Sequence, residues 1–191
     1  MRKATTRWLK RLAVWLMAAS VGVVVSAIAA YVYILDNRPD LDVWHHADLD
    51  LEYSRRAPAK TLEDYLAVED ALFQQLDREV YDRTPPGDSD ALNRYHRGAM
   101  ADPGRWPRNW NRTFVLEQPR PKAAVLLLHG LSDSPYSLRT LGKQLHRAGA
   151  HVVGLRIPGH GTAPSGLVEV RWQDMACLLY TSDAADEHRD V

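Results

Sequence analysis

The chain has 191 residues, of which 46% are hydrophobic and 25% are charged, and its formal net charge is zero. This composition is that of a folded protein and excludes a disordered chain, and the lack of a basic excess argues against a nucleic-acid binder. The single cysteine, Cys177, excludes a fold held together by internal disulfides.

The amino terminus joins a basic segment to a long apolar one. Five basic residues lie within the first 11 positions, and residues 12–35 follow without a formal charge. At about 1.5 Å per residue, a helix of that length crosses the roughly 30 Å hydrocarbon core of a bilayer. Because the basic residues precede this segment, we predict a single-pass membrane anchor over residues 1–35. Its amino terminus would lie in the cytoplasm and the remainder would be exported, in a bacterium to the periplasmic side of the inner membrane.

A cleaved signal peptide is the alternative, and the rest of the chain would then be secreted. Ala27-Ile28-Ala29 has the small-x-small pattern of a cleavage site. The apolar run continues past this site from Tyr31 to Leu35, which makes it longer than a usual signal core and favours the anchor.

The next stretch, residues 36–111, is interpreted as a linker followed by a helical lead-in. Mixed charges and prolines over residues 36–60 are typical of a loosely packed connection. Thr61 and Asp64 have the spacing of a capping box and predict the start of a helix. Apolar residues at helical spacing continue this helix until a turn-rich break at residues 84–90; they are Leu62, Leu66, Phe73, Leu76 and Val80.

The charged residues of this helix are interpreted as its solvent-exposed face and not as a paired-carboxylate active site. They include Glu63, Glu69, Asp70, Asp77 and Arg78. We predict a second, shorter helix at residues 90–100.

Trp106 and Trp110 alternate with arginines, a pattern that also suits the binding of a nucleic-acid strand or a lipid headgroup. Without a wider basic field, we interpret it as a loop that packs its tryptophans on the domain.

A strand, a helix and a second strand follow. Val125–Leu128 and Val152–Leu155 are short apolar runs, which is typical of buried strands in a parallel sheet. Between them Ser134 is placed to cap a helix and Gly149 to end it. The predicted apolar face of this helix comprises Leu138, Leu141, Leu145 and Ala148. Thr113–Glu117 predicts an edge or outer strand of the same sheet.

Two loops follow the carboxyl ends of these parallel strands. One contains His129, Gly130 and Leu131, and the other runs from Pro158 to Gly161. Strands joined by a crossover helix are parallel, so both loops lie at the same edge of the sheet. Open α/β sheets bind their ligands at that edge, and we therefore expect the functional site there.

These loop sequences carry a family resemblance. They are HGLSDSPYSLR, which begins at His129, and GLRIPGHGT, which ends at Thr162, with Trp172 and Asp174 close behind. Over about residues 112–176 the chain resembles the front half of an α/β-hydrolase of the monoacylglycerol-lipase and serine-aminopeptidase type. The fold class implied is α/β: a partial α/β-hydrolase parallel sheet with a βαβ core, preceded by the transmembrane helix and the helical lead-in.

The resemblance also implies a reaction and its residues. The activity would be that of a serine hydrolase acting on small, possibly lipid-derived carboxylic esters, without cofactor or metal, with the bilayer as its other partner and no nucleic acid. His129 and Gly130 would form the oxyanion loop, and the backbone N–H of Leu131 would donate to the oxyanion. The second loop would be shaped by Pro158, Gly159, His160 and Gly161. His160 would be structural, because in this family the base follows the nucleophile along the chain.

The nucleophile of such an enzyme is not in the sequence. No G-x-S-x-G motif occurs, so the serine, the acid and the base histidine expected of the family are missing. We therefore expect an inactive amino-terminal fragment of the enzyme. Residues 177–191 do not continue the family pattern and are interpreted as a non-native or disordered tail, with a genuine acidic tail as the alternative.

Other functions stay open at this point. The chain could be a non-catalytic membrane-tethered module that uses its βαβ unit for binding, or part of a peptidase of the same fold. A dinucleotide site is disfavoured because the first loop lacks G-x-G-x-x-G. If further strands of the sheet are missing, the apolar residues of Val125–Leu128 and Val152–Leu155 should be exposed on at least one side.

The predicted anchor can be tested by fusing alkaline phosphatase after residue 60 and expressing the fusion in a bacterium. Phosphatase folds only outside the cytoplasm, so we expect an active fusion that stays in the membrane pellet after an alkaline carbonate wash. Deletion of residues 12–35 should abolish the activity. A soluble fusion shortened up to Ala29 would instead identify a cleaved signal peptide, and an inactive full-length fusion would contradict the predicted orientation.

Overall fold

The computed structural model describes residues 2–87 and 92–187, which divide into two units, Met1–Leu41 and Asp42–Val191. The first unit contains helix α1, Arg2–Asp36. Its stretch Lys10–Asp36 has a mean hydropathy of 2.3 and, within the described part of the chain, is the one helix long and apolar enough to cross a membrane. A signal sequence has the same character, so α1 is compatible with either use.

The second unit contains short helices and three strands. Its α-helices are α2 (Val43–His46), α3 (Leu62–Leu76), α4 (Arg139–Arg147) and α5 (Trp172–Glu187), and its strands are β1 (Phe114–Leu116), β2 (Ala123–Leu128) and β3 (Ala150–Leu155). A π-helical turn, Asp77–Tyr81, extends α3, and 3₁₀ turns occur at Pro103–Arg105, Pro135–Leu138 and Pro164–Leu167.

The three strands form a small mixed sheet in the order β1-β3-β2. The predicted parallel pair is confirmed, with Ala123 opposite Ala150 and Leu128 opposite Leu155. The predicted edge strand is also confirmed: β1 pairs with β3 in the antiparallel sense, with Phe114 opposite Gly154. This pairing places the ends of β2 and β3, and therefore both candidate loops, side by side.

Burial differs between the two parallel strands. In β2, Leu126 and Leu128 are exposed, so the prediction of a buried strand is wrong for this strand. The exposure expected of a sheet that lacks further strands is seen at these two residues. In β3, Val152 and Leu155 are fully buried, contrary to the predicted exposure. The reason is that Phe114 covers Val152, while Leu155 packs into a second cluster with Tyr53, Tyr65 and Leu178.

The crossover helix follows the predicted bounds but not every predicted contact. It begins as a 3₁₀ turn after Ser134 and ends before Gly149, which has the predicted positive φ of 98°. The Ser134 hydroxyl does not cap the helix, because it donates to Asn111 Oδ1 at 2.8 Å. Leu138 and Leu145 pack against the sheet cluster as predicted, whereas Leu141 and Ala148 are exposed. Only nine residues form the regular α4, so its buried face is narrow.

The predicted capping box is present at the first turn of the lead-in helix, α3. Asp64 N donates to Thr61 Oγ1 at 3.1 Å and Thr61 N donates to Asp64 Oδ2 at 3.2 Å, which completes the capping box. The prediction of a second helix at residues 90–100 is wrong for the described residues 92–100, which form turns, with Gly98 at a φ of 80°. Residues 90 and 91 lie outside the described residues.

Segments outside the βαβ unit contribute to the core of the second unit. In the stretch predicted to be loosely packed, Trp44, Leu49 and Tyr53 are buried. Helix α5 continues into the predicted non-native or disordered tail, where Leu178 is buried. The domain boundaries predicted at residues 35, 111 and 176, and the origin of the tail, stay predictions.

Close packing of the β1–β3 pair yields a prediction about Gly154. A methyl group at this position would collide with the ring of Phe114, which is fully buried and cannot move into solvent. Overpacking of this kind costs about 1–3 kcal/mol, so Gly154→Ala should lower the free energy of unfolding by that amount. Gly130→Ala is the matched control, because its methyl group would meet open space and should change stability by less than about 0.5 kcal/mol.

Urea denaturation of the full chain in detergent micelles, followed by tryptophan fluorescence, measures both variants. Equal midpoints for Gly154→Ala and Gly130→Ala would contradict the packing of Phe114 on β3.

Candidate active site

The two predicted loops meet at the carboxyl ends of β2 and β3. His129 Nε2 accepts a hydrogen bond from Ile157 N at 3.0 Å, and His160 Nε2 lies 2.7 Å from the carbonyl oxygen of Leu131. His129 therefore binds the residue just before the second loop, and His160 contacts the main chain of the first loop. Leu131, Gly159 and His160 line an open cavity of about 270 Å³ together with other loop residues.

His129 is held in one tautomer by its neighbours. Because Nε2 accepts from Ile157 N, the ring proton must sit on Nδ1, which lies 2.8 Å from the carbonyl oxygen of Gly130 and donates to it. Burial is the largest influence on the pKa of His129 and lowers it, and the nearby His160 ring and Arg156 act in the same direction. The bond to Gly130 opposes this shift without reversing it. His129 is therefore neutral at physiological pH.

The bond from His129 orients the peptide group of the predicted oxyanion donor. The carbonyl of Gly130 and the N–H of Leu131 belong to one trans peptide group and point in opposite directions. The Gly130 oxygen accepts from His129 Nδ1 and from Asp133 N at 3.1 Å, which fixes the plane. Among the described residues the Leu131 N–H has no protein acceptor, and the Leu131 side chain is 71% exposed. The oxyanion role of Leu131 stays a prediction.

His160 bridges main-chain groups on both sides of the cleft. Its Nδ1 lies 2.9 Å from the carbonyl oxygen of Pro158, and its Nε2 lies 2.7 Å from that of Leu131. Both partners are carbonyl oxygens, which can only accept, so a hydrogen bond to either is donated by the ring nitrogen. His160 is buried and packs against His129, with the ring centroids 5.3 Å apart.

Glycine is required at two positions of the second loop. Gly159 and Gly161 have φ angles of 80° and 75°, a region that residues with a Cβ rarely adopt. A Cβ on Gly161 would also collide with the carbonyl oxygen of Asn111, in the segment that leads to β1. Pro158 is buried beneath the turn. The four loop-shaping residues predicted from the sequence thus form one compact turn against the first loop.

A buried arginine at the end of β3 supports this turn from below. Arg156 has no exposed surface, and its guanidinium contacts two carboxylates. Nη1 and Nη2 donate to the two oxygens of Glu52 at 2.9 and 2.8 Å, and Nε donates to Glu69 Oε1 at 2.8 Å. Burial alone would lower the pKa of Arg156, but the adjacent carboxylates raise it well above its ordinary value, so the group is charged.

Glu52 also binds the main chain of the turn, whereas Glu69 binds Thr113 beside it. Glu52 Oε2 accepts from Gly159 N at 2.8 Å, and Arg156 Nη1 also donates to the carbonyl oxygen of His160 at 3.1 Å. Glu69 accepts from the N–H and the hydroxyl of Thr113, whose oxygen in turn accepts from Arg156 N at 3.0 Å. We call Glu52, Glu69, Thr113 and Arg156 the buried ion network.

One member of this network, Glu69, was misinterpreted from the sequence, and another, Glu52, was missed. The assignment of Glu69 to the solvent-exposed face of its helix is wrong, because its side chain is only 1% exposed. A signal was present: Glu69 is four residues from both Tyr65 and Phe73, in the gap of the apolar stripe. Glu52 gives no local signal, because it lies in an acidic stretch without helical periodicity. Its side chain is only 8% exposed, because it is buried by partners that are distant in the sequence.

No protein-family model matches the chain, and no curated protein matches it. Matching solved structures include one from work on LipS and LipT, two metagenome-derived lipolytic enzymes said to increase the diversity of known lipase and esterase families. It is 29% identical with a TM-score of 0.37, and the match covers 43% of this chain and 33% of that one. The chain thus spans about a third of that enzyme; this TM-score does not establish a shared fold.

The state of His129 leads to a prediction about pH. The unfolded chain titrates this histidine near the ordinary pKa of 6.5, whereas the folded chain holds it neutral to a lower pH. As the pH falls below about 6.5 the unfolded state therefore binds the proton first, and stability falls. Above that pH both states are neutral and the effect vanishes. His129→Gln can still accept from Ile157 N but cannot be protonated, so its stability should fall less steeply between about pH 7 and 5.

Urea denaturation of the full chain in detergent micelles at several pH values measures the slopes, and His46→Gln, at an exposed histidine, reports the effect of losing a histidine elsewhere. Parallel slopes for the wild type and His129→Gln would contradict a neutral buried His129.

Proposed function

We propose that this chain supplies the oxyanion side of a serine hydrolase that cleaves carboxylic esters. The observation that carries the proposal is the peptide group between Gly130 and Leu131. Its carbonyl is fixed by two donors, while its N–H is unbonded among the described residues and lies in the loop that borders the cavity. A donor that is already oriented and free stabilises negative charge in a transition state without reorganisation.

The reaction assigns a separate task to each loop. A serine hydroxyl gives its proton to a base histidine as its oxygen attacks the ester carbonyl, the carbonyl oxygen becomes an oxyanion, and the Leu131 N–H donates to it. The tetrahedral species then expels the alcohol, which takes a proton from a base histidine, and water later releases the acid. His129 holds the donor peptide, and His160 holds the loop through Leu131 O rather than serving as the base. We place the serine and the base outside these 191 residues, because the sequence contains no G-x-S-x-G and in the family it resembles the base follows the nucleophile along the chain.

The substrate class follows from the proposed tether. If α1 spans a bilayer, the cavity belongs to an exported domain of a membrane-bound enzyme, and esters derived from lipids are the substrates such a tether would favour. A peptidase uses the same oxyanion chemistry on an amide. Matched ester and amide substrates therefore distinguish the two activities.

The nucleophile can be tested with a serine-reactive fluorophosphonate. These 191 residues alone should not be labelled, and the protein extended by the in-frame sequence that follows in the gene should be. In the extended protein, Leu131→Pro removes the donor N–H and should lower kcat about 10²–10³-fold, the usual effect of losing one oxyanion donor. Leu131→Ala keeps the N–H and changes only an exposed side chain, so it serves as the matched control.

Circular dichroism of each variant checks that the fold is retained. Labelling of the 191-residue chain would refute the assignment of the nucleophile. Equal kcat for Leu131→Pro and Leu131→Ala would refute the role of the Leu131 N–H, and an extended protein without labelling would favour a non-catalytic module.

A further inference from the structure

Residues 157–160, which bind the predicted oxyanion loop, are themselves fixed by hydrogen bonds to Glu52. Both histidine bridges between the loops involve residues 157–160: Ile157 N donates to His129, and His160 donates to Leu131 O. This segment lies directly after Arg156 and contains Gly159. Glu52 binds at both of these points, through the guanidinium of Arg156 and through the N–H of Gly159.

The contacts form a short chain of hydrogen bonds with no solvent-exposed link until Leu131. Glu52 Oε2 accepts from Gly159 N at 2.8 Å and from Arg156 Nη1 at 2.9 Å. The same Nη1 donates to His160 O at 3.1 Å, and the His160 ring reaches Leu131 O at 2.7 Å. Arg156 and His160 are buried, and the Glu52 side chain is 8% exposed, so water does not compete effectively for these bonds.

We propose that Glu52 is a positioning residue for the oxyanion donor, acting through the turn at residues 157–160. The inference rests on the function proposed for Leu131. Glu69 is the comparison within the same network: it binds Arg156 Nε and Thr113 but makes no bond to residues 157–160. Glu69 thus stabilises the arginine, whereas Glu52 also fixes the turn that carries both bridges.

Glu52→Gln tests this difference because it keeps the shape of the side chain and removes its charge and one of its acceptor oxygens. The full chain in detergent micelles, labelled with ¹⁵N, reports the Leu131 amide and the ring nitrogens of His129 and His160. We expect faster hydrogen exchange at Gly159 N, together with shifts of the Leu131 amide and of His160 Nε2. Amides of β3 paired with β2 should keep their shifts. Glu63→Gln, at an exposed glutamate on the lead-in helix, is the charge-matched control and should leave all of these signals unchanged.

A purely structural role gives a different result. Glu52→Gln would then lower the urea midpoint while the Leu131 and His160 signals of the folded protein stayed as in the wild type, and the proposal would be overturned. If Glu52→Gln does not fold, His160→Phe provides a second test, because this variant leaves every buried charge in place. It should shift the Leu131 amide and leave exchange at Gly159 N unchanged; an unshifted Leu131 amide would also overturn the proposal.

These signals do not depend on catalysis, so the two proposals fail separately. A shifted Leu131 amide in Glu52→Gln, with no effect of Leu131→Pro on kcat in the extended protein, would leave the coupling intact and remove the oxyanion function. An unshifted amide with a large effect of Leu131→Pro would do the reverse.

Discussion

The buried ion pairs of Arg156 with Glu52 and Glu69 are the interactions on which the second unit depends. A charge without exposed surface is tolerated only when paired and hydrogen-bonded, and here its partners come from residues 52 and 69, far away in the sequence. Losing one partner of a buried ion pair typically costs about 3–5 kcal/mol, because the other charge remains buried. The segment that carries Glu52, helix α3 and strand β3 must therefore fold together. Residues 36–60 thus contribute to the core and are not a spacer.

The charge balance of this network links the core to the site. One guanidinium between two carboxylates leaves a surplus negative charge, which buried groups must satisfy by other donors. The N–H groups of Gly159 and Thr113 supply them, and Arg112 Nε lies 3.9 Å from Glu69 Oε2 at the edge of the network. Gly159 belongs to the loop that lines the cavity. The bonds that stabilise these buried carboxylates thus also fix the conformation of that loop.

What could be predicted from the sequence depended on nearby residues. The capping box at Thr61, the parallel pairing of β2 with β3 and the positive φ of Gly149 follow from contacts a few residues apart or from the strand–helix–strand order. The buried carboxylates and the burial of Leu155 depend on partners far along the chain, which composition and periodicity do not encode. The positions of both loops were predictable because they follow strand ends, whereas the support beneath them was not.

The position of His129 explains how a loop can be both rigid and available for binding. Its Nδ1–H holds the carbonyl of one peptide group, and the planarity of that group turns the attached N–H of Leu131 to the opposite side. A protonated ring would lose the bond from Ile157 N, because Nε2 would then donate, and the loops would separate at that point. Desolvation of the ring disfavours this protonated form. Burial of His129 therefore keeps the Leu131 N–H, which has no acceptor among the described residues, turned away from the bonded carbonyl.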